Sequence, residues 1–136
     1  MADRIIDLII GIKGKCLDKE ESIRHEFNLS PAEYRGILAM RPGEPCNCNA
    51  LSTNMGLSAS RGSRVVEKLI KNKYLEQQIS KEDRRNVILK LAPKGTQVRK
   101  KIETVLNECE QTIQKKLSVS EKKDTIKLFH KLEDCL

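Results

Sequence analysis

The sequence predicts a mainly α fold carrying one small β-hairpin, and three observations lead to it. Apolar residues recur every three or four positions over most of the chain. Two short runs, Tyr74–Ile79 and Val87–Leu91, break that period and read as strands. Serine caps, prolines and glycines mark off the segments between them. With 136 residues, 38% hydrophobic and 33% charged, the chain can build a single core, or a small domain whose arms a second copy must cover.

The first helix starts in Ile5, Ile6, Leu8, Ile9, Ile10 and Ile12, apolar nearly all round, and runs to about Glu26. Gly11 and Gly14 weaken it by about 1 kcal/mol each, so burial must hold it, and a partner subunit is the natural cover. Ser30-Pro31-Ala32-Glu33 opens a second helix, with Ser30 as N-cap, Pro31 in the first turn and Glu33 closing a capping box. That helix carries Tyr34, Ile37, Leu38 and Met40 and stops at Arg41-Pro42-Gly43-Glu44-Pro45. After Cys46-Asn47-Cys48-Asn49 a short helix fits Ala50–Met55, with Gly56 as its left-handed end. Leu57 fills the turn and Ser58 caps a longer helix to about Asn72, whose apolar stripe is Val65, Val66, Leu69 and Ile70. Helix, glycine turn, then a helix with a polar and basic first turn is the helix-turn-helix arrangement.

The two strands follow directly, joined by the polar loop Ser80–Asn86, so the hairpin is a wing. From Pro93-Lys94-Gly95 onward, Val98, Ile102, Val105, Cys109, Ile113 and Leu117 mark a long helix with a narrow seam. Ser118 or Ser120 caps a last helix with Ile126, Phe129, Leu132 and Leu136 on its inner face.

Charge is distributed unevenly. Lys and Arg number 26 against 19 Asp and Glu, a net +7. Between Ser58 and Lys101 stand 13 basic and four acidic residues, so that segment is +9 and the rest of the chain −2. A basic middle between neutral ends fits a duplex-binding module framed by assembly elements; the alternative for the charge alone is a solvated basic face. Four aromatics in all (Phe27, Tyr34, Tyr74, Phe129) argue against a single-strand binder that stacks bases. No run approaches a membrane span, and only His25 and His130 are available as a histidine base, so no membrane role and no enzyme is expected.

The run Leu51-Ser52-x3-Gly56-Leu57-Ser58-x-Ser60-x2-Ser63-Arg64-x2-Glu67-x-Leu69 resembles the helix-turn-helix of the MarR family of winged regulators. Tyr74-Leu75, Asp83-Arg84-Arg85 and Leu91-x3-Gly95 continue the likeness at matching intervals, over the central half of the chain. The resemblance implies a homodimer that binds a pseudo-palindromic double-stranded DNA operator, usually as a repressor; relatives of this kind often bind a small-molecule effector, which is left open for this chain, and the expected location is cytoplasmic. It also implies a division into an N-terminal dimerisation helix (1–29), a winged helix-turn-helix lobe (30–95) and C-terminal dimerisation helices (96–136) within one domain per subunit. Departures are Lys73 where a helix-ending Gly is usual, Ala92 for a capping Thr, and Arg61-Gly62 for bulkier uncharged residues. Asn72 or Lys73 must then supply the left-handed turn.

The expected DNA contacts are Ser58, Ser60, Arg61, Ser63, Arg64, Lys68, Lys81, Asp83, Arg84 and Arg85. Residues near the start of a helix in the major groove meet base edges, and Arg61 is the candidate for guanine, with a phosphate contact as the alternative. Ser60 suits a base edge or a phosphate, while Arg64 suits a buried pair or a phosphate. Gly62 is expected to let the backbone approach the duplex. Under the family pattern Arg85 enters the minor groove and Asp83 orients Arg85 or Arg84; the alternative is a solvated, self-neutralising turn. Lys68, Lys71 and Lys81 are phosphate candidates.

Five cysteines and no secretory signal point to a reducing compartment. Cys46 and Cys48 form a Cys-x-Cys in the loop before the helix-turn-helix. Beyond ordinary thiols, the spacing leaves open a metal ion or iron–sulfur centre completed by Cys16, Cys109, Cys135 or His25, or a thiol redox switch. A thiol-based redox or metal-binding protein, or a basic helical adaptor for protein or RNA, are the rival functions.

Overall fold

The computed structural model describes residues 3–79, 81–82 and 87–136. The order is α1 (Ile5–Phe27), α2 (Pro31–Ala39), α3 (Cys48–Asn54), α4 (Ala59–Lys71), β1 (Leu75–Ile79), β2 (Val87–Leu91), α5 (Pro93–Lys116) and α6 (Val119–Cys135). The chain divides into two compact units, Met1–Ile102 and Glu103–Leu136, so the division falls inside α5, later than residue 96.

In the first unit, local rules set the helix ends. Asn28, left-handed at φ 54, closes α1. Ser30 then opens α2 with the full capping box: its hydroxyl accepts from the Glu33 N–H at 3.1 Å, and the Glu33 carboxylate accepts from the Ser30 N–H at 3.1 Å. α3 begins two residues before the expected Ala50, because the Asn47 side chain accepts from the Ala50 N–H at 2.7 Å and so caps the helix earlier. Gly56, at φ 70, ends it as expected. Ser58 caps α4 by accepting from the Arg61 N–H at 3.3 Å. Lys73, at φ 65, supplies the left-handed turn after α4, and Tyr74 precedes the strand instead of opening it.

β1 and β2 pair antiparallel from Leu75↔Leu91 to Ile79↔Val87. Cys46 extends the pairing on the other edge of β2, its N–H donating to the Leu89 carbonyl at 3.1 Å and its carbonyl accepting from the Leu89 N–H at 2.7 Å. The segment read as a loop is therefore pinned to the wing, because its backbone groups find partners on the free edge of β2.

Ile37, Met40, Leu51, Leu69, Leu75, Leu89, Val98 and Ile102 are fully buried and form the core of this unit. The Arg99 Nε donates to the Met40 carbonyl at 3.1 Å, tying α5 to the end of α2. Much of α1 is left uncovered, with Ile5 65% and Ile10 60% exposed. In the second unit Ser118 caps α6 with a capping box to Glu121, which decides between the two serines. Ile113, Leu117, Ile126 and Phe129 line an apolar groove of about 250 Å³ there, with Ile126 61% exposed. Among the described residues no helix is long and apolar enough to cross a membrane.

Candidate nucleic-acid interface

Two faces of α4 are set by opposite demands. Gly62, Val66 and Leu69 are buried against the lobe, whereas Ser58, Ser60, Arg61, Arg64, Lys68 and Lys71 lie on the accessible side. Ser63 is half-buried between the two faces. The Ser58 hydroxyl is engaged as the helix cap and lies 3.4 Å from the Ser60 hydroxyl. Arg61 and Arg64 make no ion pair among the described residues, so Arg64 does not take the buried partner that was one of its two expected roles. Lys81 is exposed as well. Asp83, Arg84 and Arg85 lie outside the described residues.

Gly62 has a role other than the one expected of it. It is buried, and a Cβ built on it would collide with the Oγ and Cβ of Ser52 and lie 3.1 Å from the Ser52 Cα. Its missing side chain lets α4 approach α3, not the duplex. Ser52 is itself fixed, its hydroxyl donating to the Cys48 carbonyl at 2.8 Å.

Sequence reasoning missed the polar clamp at the other end of α4. Glu33 is buried, with 6% of its side chain exposed, yet it is charge-compensated and bonded on several sides. It accepts from the Asn72 amide at 3.0 Å and from the Ser30 N–H, and lies 3.6 Å from the Lys68 ammonium. Burial alone would raise its carboxyl; the Ser30 backbone, the Asn72 and Ser30 side chains and Lys68 outweigh it and hold the carboxyl below the usual range. The Lys94 ammonium donates to the Asn72 carbonyl at 3.2 Å and sits 4.4 Å over the Tyr74 ring. Lys68, expected on phosphate, thus has a partner within the fold. The available signal was the capping-box Glu33 itself, whose second carboxylate oxygen a helix cap leaves unused.

The cysteines are dispersed. Cys16 and Cys135 are exposed, and Cys46, Cys48 and Cys109 are half-buried. Burial first, and Cys48 second, push the Cys46 thiol up, which works against a reactive thiolate. Among the described residues no three His, Cys, Asp or Glu side chains gather as a metal site.

A short helix, a glycine turn, a serine-capped helix with an exposed cationic start and an antiparallel hairpin together make a winged helix-turn-helix. No family model matches the chain. Among curated proteins it is similar to the HTH-type transcriptional regulator BilQ of Clostridioides difficile (strain CD3), with 23% identity over 108 residues, 79% of this chain and 73% of that one. Among solved structures it is similar to the reduced form of MarR from E. coli, with a TM-score of 0.71 and 16% identity over 97% of this chain and 98% of that one. A mutant of MepR from S. aureus bound to an oligodeoxyribonucleotide has a TM-score of 0.66 and 15% identity, covering 98% of this chain and 99% of that one. The chain has the MarR-type winged helix-turn-helix fold, and the resemblance carried by its central residues extends along the whole backbone.

Proposed function

We propose that this chain is a sequence-specific, double-stranded-DNA-binding transcription regulator, acting without catalysis as a homodimer and repressing from a pseudo-palindromic operator. The observation that carries the reading is the first half of α4. Ser60, Arg61 and Arg64 stand exposed on a helix whose other face is locked to the lobe by Gly62, Val66 and Leu69. Arg61 reads a base edge near the helix start, and Ser60, Arg64, Lys71 and Lys81 hold phosphates. Asp83, Arg84 and Arg85 act at the wing tip under the family pattern. The exposed apolar residues of α1 and of the second unit support a twofold partner, since each unit leaves large side chains uncovered. The BilQ likeness supports a regulator, and the DNA-bound MepR mutant supports duplex DNA as the partner.

A gel shift against random and dyad-symmetric duplexes tests this. A dimer is expected per dyad, with half-sites about one turn, roughly 34–36 Å, apart. Arg61→Ala relaxes specificity at one position per half-site. Arg64→Ala makes the slope of log K against log[salt] shallower by about 1 for each phosphate it no longer neutralises. Lys68→Ala leaves the slope in place, because its ammonium already serves Glu33. A monomer, or equal affinity for every duplex, refutes the proposal.

A further inference from the structure

We infer that Cys46, Cys48 and Met40 form a three-sulfur site for a soft monovalent cation, Cu(I). The inference does not depend on DNA binding. The Cys46 thiol donates to the Met40 thioether sulfur at 3.5 Å. Metal–thiolate bonds are about 2.3 Å, so two sulfurs sharing an ion in a plane of three lie roughly 4 Å apart, and the observed pair needs only a small opening. Cys46 is in the bridge to Leu89, and Asn47 is extended at φ −86, ψ 168. The extended Asn47 alone separates Cys46 from Cys48, which opens α3, so the two thiols are carried by neighbouring backbone at one junction. The electrostatic influence of Cys48 on the Cys46 thiol agrees with that proximity.

The donor set selects the ion. Two thiolates and a thioether are soft ligands that suit Cu(I). Zn²⁺ and iron–sulfur centres want four thiolate, imidazole or carboxylate ligands, and among the described residues no three such groups gather. Binding replaces two thiol protons, which go to solvent, with no change of oxidation state. The product carries one net negative charge. Cys46 lines an open cavity of about 580 Å³ together with Arg41, Arg99 and Glu44, which supplies an entry path and one net positive charge against it. The Arg99 guanidinium already bonds the Met40 carbonyl, so it flanks the site directly. The ion ties together the end of α2, the wing through Leu89 and the start of α3.

The test is an anaerobic titration of the full chain with Cu(I) against bicinchoninate, followed by X-ray absorption. One ion per chain with three sulfurs at about 2.2–2.3 Å is expected. A Cys16→Ser/Cys109→Ser/Cys135→Ser variant should keep it. Cys46→Ser/Cys48→Ser should lose it, as should Cys48→Ser alone, which leaves the Leu89 bridge residue intact. Met40→Leu, of similar volume, should weaken binding at least tenfold and reduce the sulfur count to two. Undiminished binding by either cysteine variant that keeps native circular dichroism overturns the site. An unchanged sulfur count in Met40→Leu, or loss of the ion from the triple variant, overturns it equally.

Discussion

Alanine in place of glycine inside a helix ordinarily stabilises it by about 1 kcal/mol. At Gly62 the opposite sign is expected. The added Cβ meets the Oγ and Cβ of Ser52, and lies 3.1 Å from the Ser52 Cα, so rotating a hydroxyl does not clear it. α3 and α4 must part, and overpacking of this kind costs about 1–3 kcal/mol. Because backbone is among the atoms met, the upper part of that range applies, and Gly62→Ala should lower stability by about 1–2 kcal/mol net. Urea unfolding followed by circular dichroism reads this, at fixed protein concentration since a dimer's midpoint depends on it. Adding Ser52→Gly removes the colliding side-chain atoms. The two changes should then couple favourably, by about 1 kcal/mol in a double-mutant cycle. A duplex-approach role makes a different prediction: Ala at 62 would stabilise the free protein and weaken only the complex. A raised urea midpoint for Gly62→Ala therefore refutes the helix-packing account.

Acid sensitivity should follow Glu33. Its folded carboxyl is held low, so its contribution is fully present above the unfolded value of about 4.3 and is lost as pH falls through the lowered one. Glu33→Gln should be less stable than the parent at pH 7 and lose less on acidification; equal acid slopes would sink the clamp. Cys46 should be alkylated by iodoacetamide more slowly at pH 7.5 than exposed Cys16, because burial pushes its thiol up. Peptide mass spectrometry reads the two rates, and a faster Cys46 contradicts the assignment.

What could be read from the sequence was whatever obeys a rule spanning three or four residues. Ser30 with Glu33, Ser58, Gly56 and the two strands lie where local spacing puts them. Asn47 obeys the same rule, capping α3 two residues before the expected Ala50. Partners supplied from elsewhere in the chain were not legible. No local pattern states that Cys46 will take both backbone bonds of Leu89, or that Ser52 across the turn will leave no room beside Gly62. Gly62 is a residue for which two close approaches, to DNA and to α3, leave the same mark in the sequence.

Arg64 and Lys68 show the same limit in the site, with a consequence for affinity. They stand four apart on α4 and by periodicity share a face, yet Glu33 takes only the lysine. The type of pair decides what each cation can give to phosphate. Lys90–Glu76 at 3.7 Å and Lys101–Glu26 at 3.9 Å join half-exposed partners; such pairs are worth roughly 0–1 kcal/mol and yield readily to a phosphate. Lys68 faces a carboxylate that is 6% exposed, and withdrawing it leaves that carboxylate to Ser30 and Asn72 alone, a larger penalty than parting two exposed ions. The 13 basic residues of the central segment therefore overstate the phosphate-binding capacity of the lobe. Arg61, Arg64, Lys71 and Lys81 are held by no ion pair among the described residues. Under the proposed DNA-binding role, the strong contacts then fall to these residues, and the salt slope is expected to follow them instead of the net charge.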